Sequence, residues 1–468
     1  MSDNHYQAIV IGAGPGGYPC GIRLAQLGIK TLVVEKEYWG GVCLNVGCIP
    51  SKALITAGKR VKEIQAAGDM GLVISGDVTV DMEKLQAWKG TVVDKLTGGV
   101  RTLLKGNKAD MVQGTAKVTA KGQVTVTDAD GKDTVYTADH IVLATGSRPI
   151  QIPGFAFADG PILDSTKALA LTEIPKHLMV IGGGYIGLEM GSMYAKLGAK
   201  VTVIEMQDQL LPGFDPDVVK LIARKLKKAG VTVHLKAKAL GWEKTKDGVT
   251  LELETSKGVE KLEGDYILVT VGRRPNTEDL GLQELGVEMD GPFVKVDKQM
   301  KTSVDGLYAI GDLVGNPMLA HKATHEGEVV AEVIAGHNVQ YDARTVPAVV
   351  FTDPETAVAG VDEPTAKAQG LDYKVGKVPY AAVGRSVTTN ETDGFYKMLI
   401  DAKTHRVLGV TIVGSHASDL ISEAALAIEM DAEALDVGLT IHPHPTLGEG
   451  VMEAAKAALG QAIHMVNR

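Results

Sequence analysis

Cysteine is almost missing from this chain, with three residues in 468. That scarcity excludes the disulfide framework that staples small secreted domains. Two of the three, Cys43 and Cys48, have four residues between them. Two sulfurs alone do not make a structural zinc site, which normally has four ligands, and no metal is expected. Aromatics are also scarce, at 4%, which leaves little for the stacking surfaces that hold single-stranded nucleic acid. Basic charge is not in excess: the net charge is −9 and no basic run occurs, so no nucleic-acid partner is expected. Met1 to Gln7 lack the basic and apolar regions of a signal peptide, and the first strand starts too early for a transit peptide. No apolar run reaches the ~18 residues that span a bilayer. The expected location is cytoplasmic, with no membrane partner.

Glycine, by contrast, is plentiful at 55 residues, and much of it falls in strand-to-helix turns, as nucleotide-binding α/β proteins require. The length suggests about three domains. Ala8-Ile9-Val10-Ile11 reads as a buried strand that enters Gly12-Ala13-Gly14-Pro15-Gly16-Gly17 and a helix through Leu27. Gly28 closes the helix, and a second strand from Thr31 ends at Glu35. This is a βαβ unit whose glycines let backbone N–H groups approach a pyrophosphate, with an acid placed for a ribose 2′-hydroxyl. The pattern then returns. Gly12, Gly14, Gly17, Leu27, Gly28 and Glu35 map onto Gly182, Gly184, Gly187, Leu197, Gly198 and Glu205 with one constant offset of 170 residues. Two dinucleotide sites are the simple reading; a degenerate second copy is a poor one, because every chemically required residue is retained. Glu205 would repel a 2′-phosphate, and Met206 to Pro212 contain no Arg or Lys, which favours NAD at the second site.

Two further strands run into a glycine turn and then Arg-Pro, at Gly146-Ser147-Arg148-Pro149 and Gly272-Arg273-Arg274-Pro275. They mark chain crossings into and out of a middle domain. Asp312 ends a third strand, where it can reach a polyol hydroxyl or cap the next helix. Thr352 to Thr356 reads as a turn or helix start, and residues 395–413 as a hairpin. Near the C-terminus, His442 and His444 alternate with Pro443 and Pro445 in a stiff extended segment. Glu449 can orient His444 if a helix starts near Pro445-Thr446. A histidine in such a turn is more often structural, but a close dithiol needs a base before it can attack. Cys20, on the first helix, reads as core.

In their order along the chain, the two glycine repeats, the run Cys43-Leu44-Asn45-Val46-Gly47-Cys48-Ile49-Pro50-Ser51-Lys52 and the His444–Glu449 segment resemble the disulfide oxidoreductase family of flavoproteins. The resemblance covers the whole chain. It implies an α/β fold with two Rossmann-like dinucleotide-binding domains and a C-terminal α+β dimerisation, or interface, domain. The expected boundaries are 1–149 and 276–346 for the FAD-binding domain, 150–275 for the NAD-binding domain and 347–468 for the interface domain. It implies FAD held by Gly12, Gly14, Gly17, Glu35, Lys52, Gly146, Asp312 and Ala320, and NAD held by Gly182, Gly184, Gly187, Glu205 and Gly272. Cys43 would exchange with the substrate disulfide and Cys48 would face the flavin. Lys52 would pair with Glu189, although on the residues alone both could be solvent-facing charges. His444, from the other subunit of a homodimer, would be the acid–base, backed by Glu449. The activity implied is oxidation of protein-bound dihydrolipoyl groups with reduction of NAD. The partner would be a lipoyl-bearing acyltransferase of a 2-oxo acid dehydrogenase complex or the glycine cleavage H protein. Pro443 and Gly448 depart from the family pattern. The rivals are a reductase of small disulfides using NADPH, and a non-catalytic flavoprotein scaffold.

Overall fold

The computed structural model describes residues 4–157 and 160–467. The start of the leader segment weighed above, Met1 to Asp3, lies outside the described residues, as do 158, 159 and 468.

The first strand, His5–Ile11, is flanked by Thr31–Glu35 and Asp133–Leu143, both parallel to it. Asp110–Gln113 extends the sheet on one side, and Leu307–Ala309 pairs in parallel with Asp133–Leu143 on the other. These strands are buried on both faces, as parallel sheets are: Ile9, Val10, Leu32 and Val33 are fully enclosed. Each such side chain contributes roughly 1.5–3 kcal/mol. The strand Asp133–Leu143 also pairs antiparallel with Gln123–Thr127, which pairs with Thr115–Ala120. The second unit repeats the parallel order, with His177–Ile181 central between Lys200–Ile204 and Tyr266–Val269. Thr232–His234 and Ile162–Leu163 complete its edges.

The two units meet in a ribbon where Ser147–Pro149 pairs antiparallel with Arg273–Pro275. The two Arg-Pro segments therefore lie against each other. After residue 346 the sheet is antiparallel, in the order Ala348–Val350, Glu355–Gly360, Val407–Gly414, Phe395–Asp401 and Tyr373–Pro379. Glu355 begins a strand, so the helix-start alternative at Thr352 to Thr356 gives way to a turn. The helices Ala417–Glu429 and Glu449–Ala458 cover this sheet. It is joined to the second unit through Lys397, 1% exposed, whose Nζ lies 2.6–2.8 Å from carboxylate oxygens of Asp215, Asp217 and Glu363. These three carboxylates are grouped closely enough for a metal ion, but the lysine ammonium occupies their centre.

The expectation about apolar runs needs correction. The segment Gly41–Gln65, within which an 18-residue window reaches a mean hydropathy of 1.2, is long and apolar enough, by length and composition alone, to cross a membrane. It folds as two helices, Gly41–Asn45 and Cys48–Gln65, parted at Gly47. Its Ala53 and Leu54 are buried in the protein interior, and its second helix packs closely on Tyr185–Leu197 of the second unit.

Candidate active site

The chain leaves the strand Thr31–Glu35 and turns back through Gly40 and Gly41, both with positive φ, at +92° and +64°. A Cβ on Gly41 would lie 2.5 Å from Gly14 Cα. The Gly40 N–H donates to Ala13 O at 2.9 Å. Only glycine therefore lets the dithiol segment lie directly on the first glycine loop. Asn45 Nδ2 donates to Trp39 O and Gly41 O at 3.1 and 2.8 Å, fixing the turn before Cys48. Cys43 is half-buried and Cys48 exposed, both as free thiols.

Cys48 is the first residue of the helix Cys48–Gln65, where the helix dipole favours a thiolate. A hydrogen bond from the Cys43 thiol, aided by the Lys52 charge and opposed by burial, lowers its pKa to about 7. The same bond, with burial and the Cys48 charge, pushes the Cys43 thiol up. The pair is thus asymmetric: the helix N-terminus favours the negative charge on Cys48, with the proton on Cys43. Lys52, one turn on, pairs with Glu189 Oε2 at 2.8 Å and lies 4.5 Å from the centre of the Phe351 ring. Glu189 is 4% exposed, and its other oxygen accepts the Phe351 N–H at 2.9 Å. Lys52, part-exposed, and the buried Glu189 therefore form a pair spanning both nucleotide units.

The two glycine loops share the close backbone contacts of their outer glycines. A Cβ on Gly12 would lie 2.3 Å from Ala144 O, and one on Gly182 2.5 Å from Thr270 O. A Cβ on Gly17 or Gly187 would strike the carbonyl of Gly12 or Gly182, at 1.9 and 2.3 Å. The middle glycines differ: Gly14 would meet only Gly41 Cα, at 3.9 Å, and Gly184 nothing within 4 Å. The outer glycines are thus needed for packing, while the middle ones face open space where a pyrophosphate can approach. Glu35 accepts the N–H groups of Ala13, Glu37 and Tyr38. Glu205 accepts those of Gly183 and Gln207. A carboxylate accepts about four hydrogen bonds, so each acid anchors its own loop and retains capacity for a ribose hydroxyl. Open space over the middle glycine and an acid with acceptor capacity fit a dinucleotide at both loops.

Asp312 lies on a short 3₁₀ turn and does not cap the following α-helix. Its carboxylate accepts from Ser147 Oγ at 2.5 Å. Ala320 opens the helix Ala320–Ile334, which meets the first glycine loop: Thr324 Oγ1 donates to Pro15 O at 2.7 Å. Gly146 and Gly272 both have positive φ, +70° and +128°, and turn the two strands into the ribbon.

His444 stands apart. Its side chain is 77% exposed, and Nδ1 lies 2.9 Å from Glu449 Oε1. Burial raises the Glu449 pKa, but His444 and the Thr446 N–H outweigh it and lower the carboxyl overall. An ionised carboxylate only accepts, so Nδ1 carries the hydrogen and Nε2 is left as the basic nitrogen. The helix starts at Glu449 itself, later than expected; the turn from Thr446 to Gly448 supplies the contact, with the Thr446 N–H on Glu449 Oε2. A Cβ on Gly448 would make only ordinary contact, 3.4 Å from His442, so glycine is not sterically required there. His442 is buried against Glu423 and has a structural place. Among the described residues, no hydrogen bond joins His444 to either thiol within the chain.

Four supporting groups escaped sequence reasoning. Ser147 holds Asp312, Arg273 holds Ser147, and Glu326 accepts the Gly311 N–H at 2.7 Å. Tyr396, stacked on Tyr380 at 4.8 Å, donates to Leu447 O in the turn before Glu449. The repeated Gly-x-Arg-Pro and Gly-Arg-Arg-Pro turns were the available signal for the first two; nothing local marks the tyrosine.

Residues 6–327 match the family model described as pyridine nucleotide-disulphide oxidoreductase, and residues 346–455 match the dimerisation domain of that family. The chain belongs to the pyridine nucleotide-disulphide oxidoreductase family. Curated members of the family similar to it include the dihydrolipoyl dehydrogenase of Bacillus subtilis, 52% identical over 98% of this chain and 97% of that protein. That of Geobacillus stearothermophilus is 50% identical over 99% and 98%. Among solved structures, LpdA from Mycobacterium tuberculosis superposes with a TM-score of 0.90 at 28% identity, covering 96% of this chain and 99% of that one. The HOCl-induced flavoprotein disulfide reductase RclA from Escherichia coli gives 0.86 at 27% identity, over 97% and 99%.

Proposed function

We propose that this oxidoreductase oxidises dihydrolipoyl groups carried on a partner protein and reduces NAD, through a Cys43–Cys48 disulfide. The observation that carries this reading is the polarised dithiol seated on the first glycine loop, with Cys48 at the N-terminus of its helix. Close similarity to dihydrolipoyl dehydrogenases along the whole chain supports the substrate class.

In this reading His444 Nε2 takes the proton from one substrate thiol. The resulting thiolate attacks Cys43 Sγ of the disulfide, forming a mixed disulfide and expelling Cys48 as thiolate. A low leaving-group pKa speeds that departure. The second substrate thiol then attacks the lipoyl sulfur of the mixed disulfide, closing the lipoyl disulfide and releasing Cys43; its proton passes to Cys43, while the first proton stays on His444 and balances the Cys48 thiolate. The substrate loses two electrons and the cysteine pair gains them. Bound FAD and NAD supply the two-electron transfer that returns the pair to the disulfide. Gly12, Gly14, Gly17, Glu35, Gly146, Asp312 and Ala320 would hold FAD, with Lys52 beside its reacting edge. Gly182, Gly184, Gly187, Glu205 and Gly272 would hold NAD. Glu449 keeps His444 in the required tautomer, as a triad carboxylate does.

His444 faces solvent within its own chain, and the C-terminal part matches a dimerisation domain. Both support a homodimer in which His444 serves the dithiol of the other subunit. The domain reading is 1–149 with 276–346 for FAD, 150–275 for NAD and 347–468 for the interface. A cytoplasmic enzyme serving a lipoyl acyltransferase or the glycine cleavage H protein completes the proposal.

Turnover is compared with NADH and NADPH, and with lipoamide and glutathione disulfide. The reading expects NADH with lipoamide to be the preferred pair; preference for NADPH and glutathione disulfide assigns the chain to the small-disulfide reductases. Cys48→Ser is expected to abolish turnover, and retained function in that variant points to a scaffold.

A further inference from the structure

Ser147 is 3% exposed and has one hydroxyl hydrogen. That hydrogen goes to Asp312 Oδ2, since a carboxylate can only accept. The Ser147 oxygen must then accept from its other neighbour, and Arg273 Nε donates to it at 2.7 Å. Arg273 Nη2 donates to the Ser147 carbonyl at 2.6 Å. Among the described residues, both hydrogen bonds of Arg273 end on Ser147. The direction of the chain is therefore fixed: guanidinium to hydroxyl to carboxylate. Such charge-assisted bonds polarise one another in a low-dielectric interior.

The two ends of this chain belong to different nucleotide sites. Arg273 directly follows Gly272, where the second sheet turns out of Tyr266–Val269. Asp312 follows the strand Leu307–Ala309 of the first sheet. They meet across the ribbon, where Arg273 pairs with Pro149 and Pro275 with Ser147. Other bonds clamp the ribbon independently. Asn276 Nδ2 donates to Thr145 O, Thr145 Oγ1 donates to Asn276 O, and Arg148 pairs with Glu278 at 2.8 Å. The turn bearing Asp312 is also held separately, by Glu326, 2% exposed and paired with Lys322 at 2.6 Å. Removing the serine hydroxyl thus frees the Asp312 carboxylate while the ribbon and the turn keep their own supports.

We propose that Arg273 and Ser147 are positioning residues that hold the Asp312 carboxylate for the flavin polyol and transmit occupancy of the second nucleotide site to the first. This rests on the FAD and NAD reading given above. A displacement of Gly272 on dinucleotide binding would move Arg273, and the Ser147 hydroxyl is the side-chain link by which Arg273 reaches the Asp312 carboxylate.

The test uses the FAD-loaded protein and the variants Ser147→Ala and Ser147→Thr. Retention of FAD on dilution and the visible flavin spectrum, with and without NAD, are recorded. Wild type is expected to hold FAD and to show a flavin band shift when NAD is added. Ser147→Ala is expected to lose FAD on the order of tenfold more readily, the loss of one charge-assisted hydrogen bond, and to lose the NAD-induced shift. Ser147→Thr, which keeps the hydroxyl, is expected to restore both. Wild-type retention and shift in Ser147→Ala overturn the inference, as does a wild type that holds FAD without any NAD-induced shift. Equal loss in Ser147→Thr also overturns it, because the hydroxyl would not be the operative group. A wild type that binds no FAD instead removes the cofactor reading on which the relay rests.

Discussion

At Cys48 a helix N-terminus, the Cys43 thiol and the Lys52 charge all favour the thiolate, against burial. The Cys43 hydrogen bond is the largest of the residue-specific influences. Cys43→Ala is therefore expected to raise the Cys48 pKa. The rate of iodoacetamide alkylation of the reduced protein, followed against pH, reports this, because only the thiolate reacts. In wild type the rate should level off above neutral pH, and in the variant its midpoint should move upward; an unmoved midpoint removes the thiol–thiolate bond from the account. Cys20 does not confuse the measurement, since it is fully buried and burial pushes its thiol up. At the second site, Glu205→Arg should shift kcat/KM from NAD towards NADP. The same change deletes two loop anchors, so NAD binding should also weaken. An unchanged preference means that the cofactor is selected elsewhere. Glu35 and Glu205 were legible because each ends a strand at a fixed distance from its glycines. Ser147 was not, because its partners lie 126 and 165 residues away and a serine after glycine says nothing locally.

Among the elements, the two glycine loops separate fold from binding. Gly182→Ala must bring a Cβ to 2.5 Å from a backbone oxygen at a φ of +110°, and is expected to cost stability visibly in a thermal melt. Gly184→Ala meets nothing within 4 Å, and its φ of −76° suits alanine. That variant should stay within ~1 kcal/mol of wild-type stability yet bind NAD more weakly, by titration. Equal effects of the two changes contradict the division of labour. Strand–helix–strand order around these loops was readable from hydrophobic runs and glycine punctuation. The start of the helix at Glu449 was not, because the turn from Thr446 is held by the Glu449 side chain and by Tyr396, a residue of the antiparallel sheet. The segment Gly41–Gln65 misled in the other direction: its apolar character serves packing against the second unit, a contact invisible in the linear pattern.

For the molecule as a whole, Lys397 is the clearest cohesive contact between the C-terminal sheet and the second nucleotide unit. Burial pushes its pKa down, but Asp215, Asp217 and Glu363 outweigh that and raise it overall. Lys397→Met leaves the buried Asp215 without its cation, while Asp217 keeps Lys377, and should destabilise the protein by about 3 kcal/mol, read as a fall in the urea midpoint. A midpoint equal to wild type means that other contacts hold the sheet in place. The three-part architecture was legible in the sequence because one nucleotide unit repeats the other; His444, expected to act from another subunit, faces solvent within its own chain and contacts Glu449. Mutation of that histidine to alanine should cripple dithiol oxidation while FAD stays bound; undiminished turnover would remove it from the mechanism. Electrons are proposed to pass from a dihydrolipoyl dithiol through Cys43 and Cys48 to NAD. The decisive experiment is an anaerobic assay with dihydrolipoamide as donor, following NADH formation together with the flavin spectrum. NADH is expected to form in wild type and not in Cys48→Ser; formation at the same rate in both, or in neither, rules this path out.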